Sequence, residues 1–237
     1  MTTAFQRLHP KLQETLWRLK WEELRPIQVA AIEHFANNGG DALITAPTAG
    51  GKTEAAFLPV LSAIMDDPAG GVRALYVCPL KALINDQFAR IERLCETLEI
   101  PVHRRHGDVA EGERKRLSDA PSGVLIITPE SIEALFLRRP HVIRLWFSRL
   151  DFIVIDELHV FLESVRGAQL ASLLARIERR IERRPTRIGL SATLGDPSGA
   201  CQWLADRGKP AQWIQAEHEP FELRLGVWGS WLDISAD

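Results

Sequence analysis

Short apolar runs alternate with longer amphipathic segments along most of the chain, and this alternation restricts the possible folds more than any other feature. Val, Ile and Leu dominate the runs, which lack the polar alternation typical of half-exposed strands. The clearest runs are Asp41–Ala46, Arg73–Cys78, Gly123–Thr128, Phe152–Asp156 and Arg187–Ser191, with weaker ones at Val102–Arg105 and Gln212–Gln215. They predict an α/β fold in which a mostly parallel sheet carries helices on both faces.

The segments between these runs predict the helices and the domain organisation. Helices are expected at Pro26–Asn37, Lys52–Met65, Leu80–Leu98, Glu111–Leu117, Pro129–Leu137, Gly167–Arg183 and Pro197–Arg207. Residues 21–216 then form one domain, preceded by an N-terminal extension at 1–20. Residues 217–237 follow the last predicted strand and contain Pro220, so they are predicted to be a tail or the start of a linker.

A glycine-rich segment between the first predicted strand and the next helix has the spacing of a phosphate-binding loop. It reads Ala46-Pro47-Thr48-Ala49-Gly50-Gly51-Lys52-Thr53, which matches Gly, four residues, then Gly-Lys-Ser/Thr except for Ala46 at the first position. Such a loop turns backbone N–H groups toward an anion, and the following helix adds about half a positive charge. We expect the nucleotide to be bound by Thr48, Ala49, Gly50, Gly51, Lys52, Thr53 and Glu54.

Two carboxylates follow another apolar run. Asp156 and Glu157 end the predicted strand Phe152–Asp156, at the edge where open α/β sheets bind ligands. Asp156 and the Thr53 hydroxyl suit Mg²⁺, and Glu157 suits a general base that activates water. Lys52, Asp156 and Glu157 are therefore predicted to be catalytic, with ATP and Mg²⁺ as the cofactors.

Charge and cysteine content exclude several other classes of protein. The chain carries 29 basic and 31 acidic residues, so any nucleic-acid grip must be local. The run from Arg176 to Arg184 alternates with Glu178 and Glu182 and predicts a solvated helix with internal ion pairs. The three cysteines are too far apart in sequence for a zinc ribbon or a disulfide framework, which indicates a reducing cytoplasm. No apolar stretch approaches the length of about 20 residues that spans a bilayer, so no membrane partner is expected.

Taken with further motifs in order, these segments resemble the first RecA-like domain of superfamily 2 DExH helicases, most closely the Lhr-type (large helicase-related) members. The resemblance runs from about residue 20 to about residue 225 and includes the motifs Asp156-Glu157-Leu158-His159 and Ser191-Ala192-Thr193. It implies a RecA-like P-loop NTPase fold. It also implies that Gln28 reads adenine, for which an amide offers both donor and acceptor.

The resemblance assigns further residues to coupling and to the nucleic acid. It implies that His159, Ser191 and Thr193 link the nucleotide state to domain movement. The residues expected at the nucleic acid, DNA or RNA and single-stranded or duplex, are Pro79, Lys81, Gly107, Thr128 and Pro129. They belong to three motifs, Pro79-Leu80-Lys81-Ala82-Leu83, Gly107-Asp108-Val109 and Thr128-Pro129-Glu130-Ser131. Two of the three follow predicted strands and open helices, whose N-termini bind backbone phosphates without reading sequence, although ordinary helix capping explains each motif equally well. Arg166-Gly167-Ala168 is also similar to the Lhr-type pattern.

A motor of this family also needs a second RecA-like domain, in cis or in trans, which supplies an arginine finger worth roughly 10³–10⁵ in rate. We therefore expect this chain alone to bind MgATP weakly, to hydrolyse it slowly and to leave duplexes intact. Two alternatives stay open: a catalytically silent module that holds nucleic acid or a partner protein, and a phosphate-loop kinase or other NTPase. Intact Lys52, Thr53, Asp156 and Glu157 disfavour the silent module, while Gln28 disfavours a kinase.

Overall fold

Seven strands form one parallel sheet in the computed structural model, which describes residues 3–37, 39–47, 50–66, 70–106, 109, 111–192, 194–205, 208–215, 226–227 and 230–231. The strands are β1 (Ala42–Thr45), β2 (Gly71–Val77), β3 (Val102–Arg105), β4 (Ser122–Ile127), β5 (Phe152–Ile155), β6 (Thr186–Ser191) and β7 (Gln212–Gln215). Their order is β3-β4-β2-β5-β6-β1-β7, and all neighbours pair in parallel. The predicted α/β fold is confirmed.

Helices cover both faces of this sheet. They are α1 (Pro10–Arg18), α2 (Pro26–Asn37), α3 (Lys52–Asp66), α4 (Lys81–Glu96), α5 (Glu111–Asp119), α6 (Pro129–Arg138), α7 (Pro140–Phe147), α8 (Val165–Ile181) and α9 (Pro197–Ala205). Side chains alternate across a strand, so Ala74 and Tyr76 of β2 pack under α1 to α4, whereas Leu75 and Val77 pack under α5 to α9. Both faces of β2 are therefore buried, as its uninterrupted apolar pattern predicted.

Two of these helices were absent from the sequence prediction. Helix α1 lies within the predicted N-terminal extension, yet Leu12 and Leu16 are fully buried in the core beside α3. The His9 N–H donates to Ser62 Oγ of α3 at 2.7 Å, which fixes the entry to α1. Helix α7 directly follows α6 and buries Trp146 and Phe147 against the opposite face. The other predicted helices and strands are present with ends shifted by one or two residues at most.

The basic run at the end of α8 differs from its prediction. Three of its arginines pair with acids of other elements: Arg176 with Glu133 at 3.0 Å, Arg183 with Asp151 at 2.7 Å, and Arg184 with Asp41 at 2.5 Å. Glu178 of the run likewise pairs outside the helix, with Arg187 of β6 at 2.8 Å. The prediction of internal ion pairs was wrong because the helix end lies against the N-terminal edge of the sheet, where Asp41 and Asp151 precede β1 and β5. These pairs tie α8 to the sheet and to α6.

Little of the predicted tail is described. Gly226–Val227 (β8) and Ser230–Trp231 (β9) form a separate antiparallel pair, and the rest of 216–237 lies outside the described residues. The division into 1–20, 21–216 and 217–237 stays a prediction. Within the described ranges, no helix has the length and apolar character needed to cross a membrane.

Candidate active site

The sheet order brings three predicted motifs to one edge. Strands β5, β6 and β1 are adjacent, and their carboxyl ends carry Asp156, Ser191 and the phosphate loop. The register pairs Thr45 at the end of β1 with Ser191 at the end of β6, and Ile155 at the end of β5 with Gly189. Ligands of open parallel sheets bind beside such strand ends. The motifs therefore meet although they are far apart in sequence.

Lys52 begins α3 and its ammonium closes back over the loop. The Lys52 Nζ donates to the carbonyl of Ala46 at 2.7 Å and to that of Pro47 at 3.0 Å. Gly51 has a φ of +85°, and a Cβ there would lie 2.9 Å from Gln28 Nε2, so the loop needs glycine at this position. Ala46 is not among the described residues with positive φ, which explains why alanine is tolerated there. The predicted contacts Thr48 and Ala49 lie outside the described residues.

The two acids act electrostatically on this lysine. Burial lowers the pKa of Lys52, and the negative charges of Glu157 and Asp156 oppose that shift. Such coupling requires proximity, because charge interactions weaken with distance and with solvent screening. Lys52, Asp156 and Glu157 thus lie near one another at the carboxyl edge of the sheet.

Asp156, the predicted metal ligand, lies directly after β5. Its side chain is almost fully buried, and its Oδ1 accepts the Glu157 N–H at 3.0 Å. Burial raises the pKa of Asp156 and Glu157 adds to that shift, whereas the Tyr76 hydroxyl, the Glu157 N–H and Lys52 oppose it. Thr53 is buried on the first turn of α3, and its hydroxyl donates to Gln87 Oε1 at 3.4 Å.

One carboxylate and one hydroxyl fit Mg²⁺, which takes few protein ligands and keeps waters and phosphate oxygens. Within the ranges that the structure covers, no three His, Cys, Asp or Glu residues form a cluster that could hold a metal alone. The donor set therefore suits a metal that arrives with a phosphate, and Thr53 and Asp156 are the residues that would hold it.

Tyr76 is a neighbour of this site that the sequence prediction missed. The chain's single tyrosine is fully buried on β2, and its ring lies 5.4 Å from that of Phe57. Burial raises the pKa of Tyr76 well above its usual value, and Asp156 adds to the shift. The Asp156 and Thr53 side chains lie close enough to the hydroxyl to act on its pKa, but within the described chain the hydroxyl completes no hydrogen bond. A lone tyrosine in an apolar strand was the only available signal.

Gln28 lies beside an open cavity next to the phosphate loop. It is buried, and its Oε1 accepts the Arg25 N–H at 2.9 Å. The cavity has a volume of about 230 Å³ and is lined by Trp21, Glu23, Arg25, Gln28, Gly51, Glu54 and Arg90. Glu54 is engaged by Arg90, whose Nη2 donates to Glu54 Oε2 at 2.8 Å. Neither Trp21 nor Arg90 was predicted to line this cavity. Arg90 was missed because only the fold brings α4 to the loop.

The predicted coupling residues His159 and Ser191 contact each other. His159 Nδ1 lies 3.1 Å from Ser191 Oγ and 3.4 Å from Glu157 Oε2. Glu157 adopts a left-handed backbone with φ 45° and ψ 51°, which is uncommon for a residue with a side chain and recurs at functional sites. Thr193 lies outside the described residues.

The predicted nucleic-acid residues lie at the carboxyl ends of β2 and β4. Thr128 caps α6, its Oγ1 accepting the Ser131 N–H at 3.3 Å, and Pro129 occupies the first helical position. Thr128 and Pro129 are both buried, so their side chains serve the helix, as the capping alternative holds. Lys81 is exposed at the start of α4, next to Pro79. Gly107 lies outside the described residues.

Arg166 joins these two segments. At the start of α8 its guanidinium donates to the Pro79 carbonyl and to Glu130 Oε1, the latter at 2.7 and 2.9 Å. Burial would raise the pKa of Glu130, but its own backbone N–H and Arg166 outweigh that effect and lower it. The sequence pattern singled out Arg166 without a role, and the fold makes it a bridge between the two predicted nucleic-acid motifs.

Comparison with known proteins agrees with this arrangement. The family model described as DEAD/DEAH box helicase matches residues 25–199. The chain is 35% identical over 206 residues to "Lhr helicase/ probable uracil glycosylase" of Mycolicibacterium smegmatis, covering 81% of this chain and 14% of that protein. It is 31% identical over 210 residues to "ATP-dependent DNA helicase Hel308" of Methanococcus vannielii, covering 87% and 26% respectively.

A solved structure, Mycobacterium smegmatis helicase Lhr bound to ssDNA and AMP-PNP, matches with a TM-score of 0.80 at 28% identity. The match covers 91% of this chain and 28% of that one. The chain therefore spans little more than a quarter, or less, of the length of each of these three proteins.

Proposed function

Since this chain belongs to the DEAD/DEAH box helicase family, we propose that it binds and hydrolyses MgATP as one half of a nucleic-acid motor. The observation that carries the proposal is that the sheet order brings the phosphate loop and the two acids to the same edge, at the ends of β1 and β5. There Asp156 and Glu157 act on the charge of Lys52, although the lysine and the acids come from distant parts of the sequence. A phosphate-binding cation, a metal-binding carboxylate and a candidate base at one edge are the parts that phosphoryl transfer to water requires.

Each residue has a specific role in this proposal. Lys52 exchanges its contacts with the Ala46 and Pro47 carbonyls for phosphate oxygens. Thr53 and Asp156 hold the metal, which when bound supplies positive charge that neutralises the phosphate oxygens. Glu157 accepts a proton from the attacking water, for which a partly exposed carboxylate at the pocket edge is suited. Gln28 binds the base through its amide, beside the cavity at Gly51.

We assign strand binding to the edge formed by the exposed Lys81 and the N-terminus of α6 at Thr128 and Pro129, where the backbone rather than the buried side chains would face the phosphates. Arg166 joins the two segments. The relative of known structure is bound to ssDNA, which supports a single strand as the ligand of this edge. A second RecA-like domain, in cis or in trans, would complete the motor, with residues 21–216 as the first. His159 and Ser191 would transmit the nucleotide state to that domain through their contact.

The test is ATP turnover by the purified chain, measured with and without single-stranded DNA and RNA. Lys52→Ala should abolish MgATP binding, because the loop loses its only full positive charge. Glu157→Gln should retain binding and lose about 10²-fold or more in turnover, because the base is replaced by a neutral isostere.

Two controls match these variants. Lys11→Ala removes an exposed lysine of α1, and Glu163→Gln alters another glutamate with a left-handed backbone, at φ 52°. Both should turn over ATP like the wild type. If Lys52→Ala and Glu157→Gln also match the wild type, the proposed chemistry is wrong. If the wild type binds strands without turning over ATP, the chain is a silent binding module.

A further inference from the structure

We propose that Tyr76 is a positioning residue for the metal site, its hydroxyl donating a hydrogen bond to the Asp156 carboxylate when MgATP is bound. This inference rests on the proposed function and assigns a residue that none of the motifs contains. Tyr76 is fully buried, and among the described residues its hydroxyl completes no hydrogen bond, although Asp156 and Thr53 lie close to it. Buried hydroxyls are nearly always paired, so an orphaned one at a ligand site indicates a partner that comes with the ligand.

The backbone holds Tyr76 in fixed relation to the proposed metal ligands. On adjacent parallel strands, Tyr76 is in register with Val154, two residues before Asp156. The Asp156 N–H donates to the carbonyl of Val77 at 2.9 Å, so the aspartate backbone is tied to the residue that follows the tyrosine. Neither group can move far from the other without breaking the pairing of β2 with β5.

Helix α3 positions the ring from the other side. Phe57 lies one turn after Thr53, so both side chains project from the same face of the helix. The Phe57 ring packs on Tyr76 at a centroid distance of 5.4 Å. The tyrosine is thereby confined below Thr53 and Asp156, the two residues proposed to bind the metal, and its hydroxyl interacts with both.

A donor at this place has a definite effect on the metal. A carboxylate that binds a metal is oriented by hydrogen bonds to its oxygens, and loss of such an outer partner typically weakens metal affinity by about 10–100-fold. Asp156 Oδ1 accepts the Glu157 N–H at 3.0 Å, and the Tyr76 hydroxyl lies close to the same carboxylate. A hydrogen bond from that hydroxyl would fix the orientation of the carboxylate.

The experiment compares wild type with Tyr76→Phe, which keeps the ring against Phe57 and removes only the oxygen. A fluorescent ATP analogue is titrated with and without Mg²⁺, and thermal melting is followed without nucleotide. We expect Tyr76→Phe to melt at the same or a higher temperature, because an unpaired polar group has left the core. Its nucleotide affinity without Mg²⁺ should equal that of wild type, while half-saturation in Mg²⁺ should rise about tenfold or more.

Trp146→Phe is the matched control, because Trp146 Nε1 is another buried atom without a partner and lies on the opposite face of the sheet. It should leave the Mg²⁺ titration unchanged. Unchanged Mg²⁺ half-saturation in Tyr76→Phe would overturn the proposal. Loss of the melting transition in this variant would also overturn it, because the hydroxyl would then be needed to stabilise the fold without nucleotide.

A double variant tests whether the hydroxyl acts through the aspartate. If it does, Tyr76→Phe should cause no further loss in an Asp156→Asn background, whereas additive losses would contradict the assignment. Wild-type protein that binds the analogue with no Mg²⁺ dependence would overturn the proposed function itself and this inference with it. Failure of the inference alone is distinguished by a wild type that responds to Mg²⁺ and a Tyr76→Phe variant that responds identically.

Discussion

At the scale of single residues, the contact between His159 and Ser191 connects the proposed base, Glu157, to the neighbouring strand β6. His159 Nδ1 reaches both Glu157 Oε2 and Ser191 Oγ, so one imidazole connects the ends of β5 and β6. The left-handed backbone of Glu157 costs about 1–3 kcal/mol and is maintained by the surrounding packing. Because Glu157 has a strained backbone and contacts His159, it is suited to transmit a change in the bound nucleotide through His159 to Ser191.

We predict that His159→Ala and Ser191→Ala each reduce the stimulation of ATP turnover by single strands more than they reduce basal turnover. The lost contact is one hydrogen bond, worth about 0.5–1.5 kcal/mol, so the ratio of stimulated to basal rate should fall about 2–10-fold. Steady-state ATPase assays with saturating oligonucleotide measure this ratio. His141→Ala, an exposed histidine of α7, is the control, and an equal ratio in all four proteins would contradict the coupling role.

Some residues of the candidate site could be predicted from the sequence, and others could not. Lys52, Thr53, Asp156 and Glu157 were predicted as site residues because a loop and a strand end each carry a local pattern, and sheet topology then places the two together. Tyr76 and Arg90 were missed because their place depends on packing between distant segments. The burial of Thr128 and its role as the cap of α6 come from the fold and not from spacing, while its role at the nucleic acid stays a prediction.

At the scale of elements, the strands were predicted well and two helices were not. Even β3 and β7, which have polar sequences, were predicted with the bounds observed. Helix α1 was missed because its apolar residues face the core between polar ones at the chain start, where no strand precedes it. Helix α7 was missed because Arg138-Arg139-Pro140 indicates the end of a helix, and here Pro140 also begins the next one.

The start of α8 is the element whose placement matters most for strand binding. A Cβ on Gly167 would lie 1.7 Å from the carbonyl oxygen of Phe161, so only glycine allows the helix to begin this close to the turn after β5. The Ser164 hydroxyl accepts the Gly167 N–H at 3.0 Å and caps the same turn. This tight start brings Arg166 to Pro79 and Glu130.

Arg166→Ala should therefore weaken binding of single strands about 3–10-fold while leaving binding of nucleotide unchanged, since it releases Pro79 and Glu130 from one another. The estimate corresponds to the loss of one or two hydrogen bonds to a charged group, diminished by solvent exposure. Fluorescence anisotropy with a labelled oligonucleotide gives the affinity. Arg176→Ala breaks another ion pair between α8 and α6, to Glu133, and leaves the contacts of Arg166 with Pro79 and Glu130 in place. Equal effects of the two variants would mean that Arg166 only stabilises the fold.

At the scale of the whole molecule, the proposed active site is open to solvent in the part of the chain that the structure describes. The side chain of Glu157 is 33% exposed and that of His159 is 45% exposed, so water reaches the proposed base freely. The cavity beside Gln28 is likewise open and is bordered by the segment before α2 together with α2, α3 and α4. Phosphoryl transfer gains from a closed, preorganised site in which charges act in a low dielectric. A second RecA-like domain, as proposed above, would supply the wall that closes this site.

We predict that this chain alone hydrolyses MgATP slowly and separates no duplex, and that a second RecA-like domain raises turnover by about 10³-fold or more if it supplies an arginine to the transferred phosphate. The measurement is ATPase and duplex-unwinding activity of the chain alone, mixed with the second RecA-like domain of a related helicase, and fused to it. When the arginine finger of that domain is replaced by alanine, the same mixtures and fusions should close the site without the full gain in turnover. This comparison separates the effect of closing the site from the effect of the arginine charge. Sustained unwinding by the chain alone would contradict the requirement for a second body, because the exposed base and open cavity would then suffice for the complete cycle.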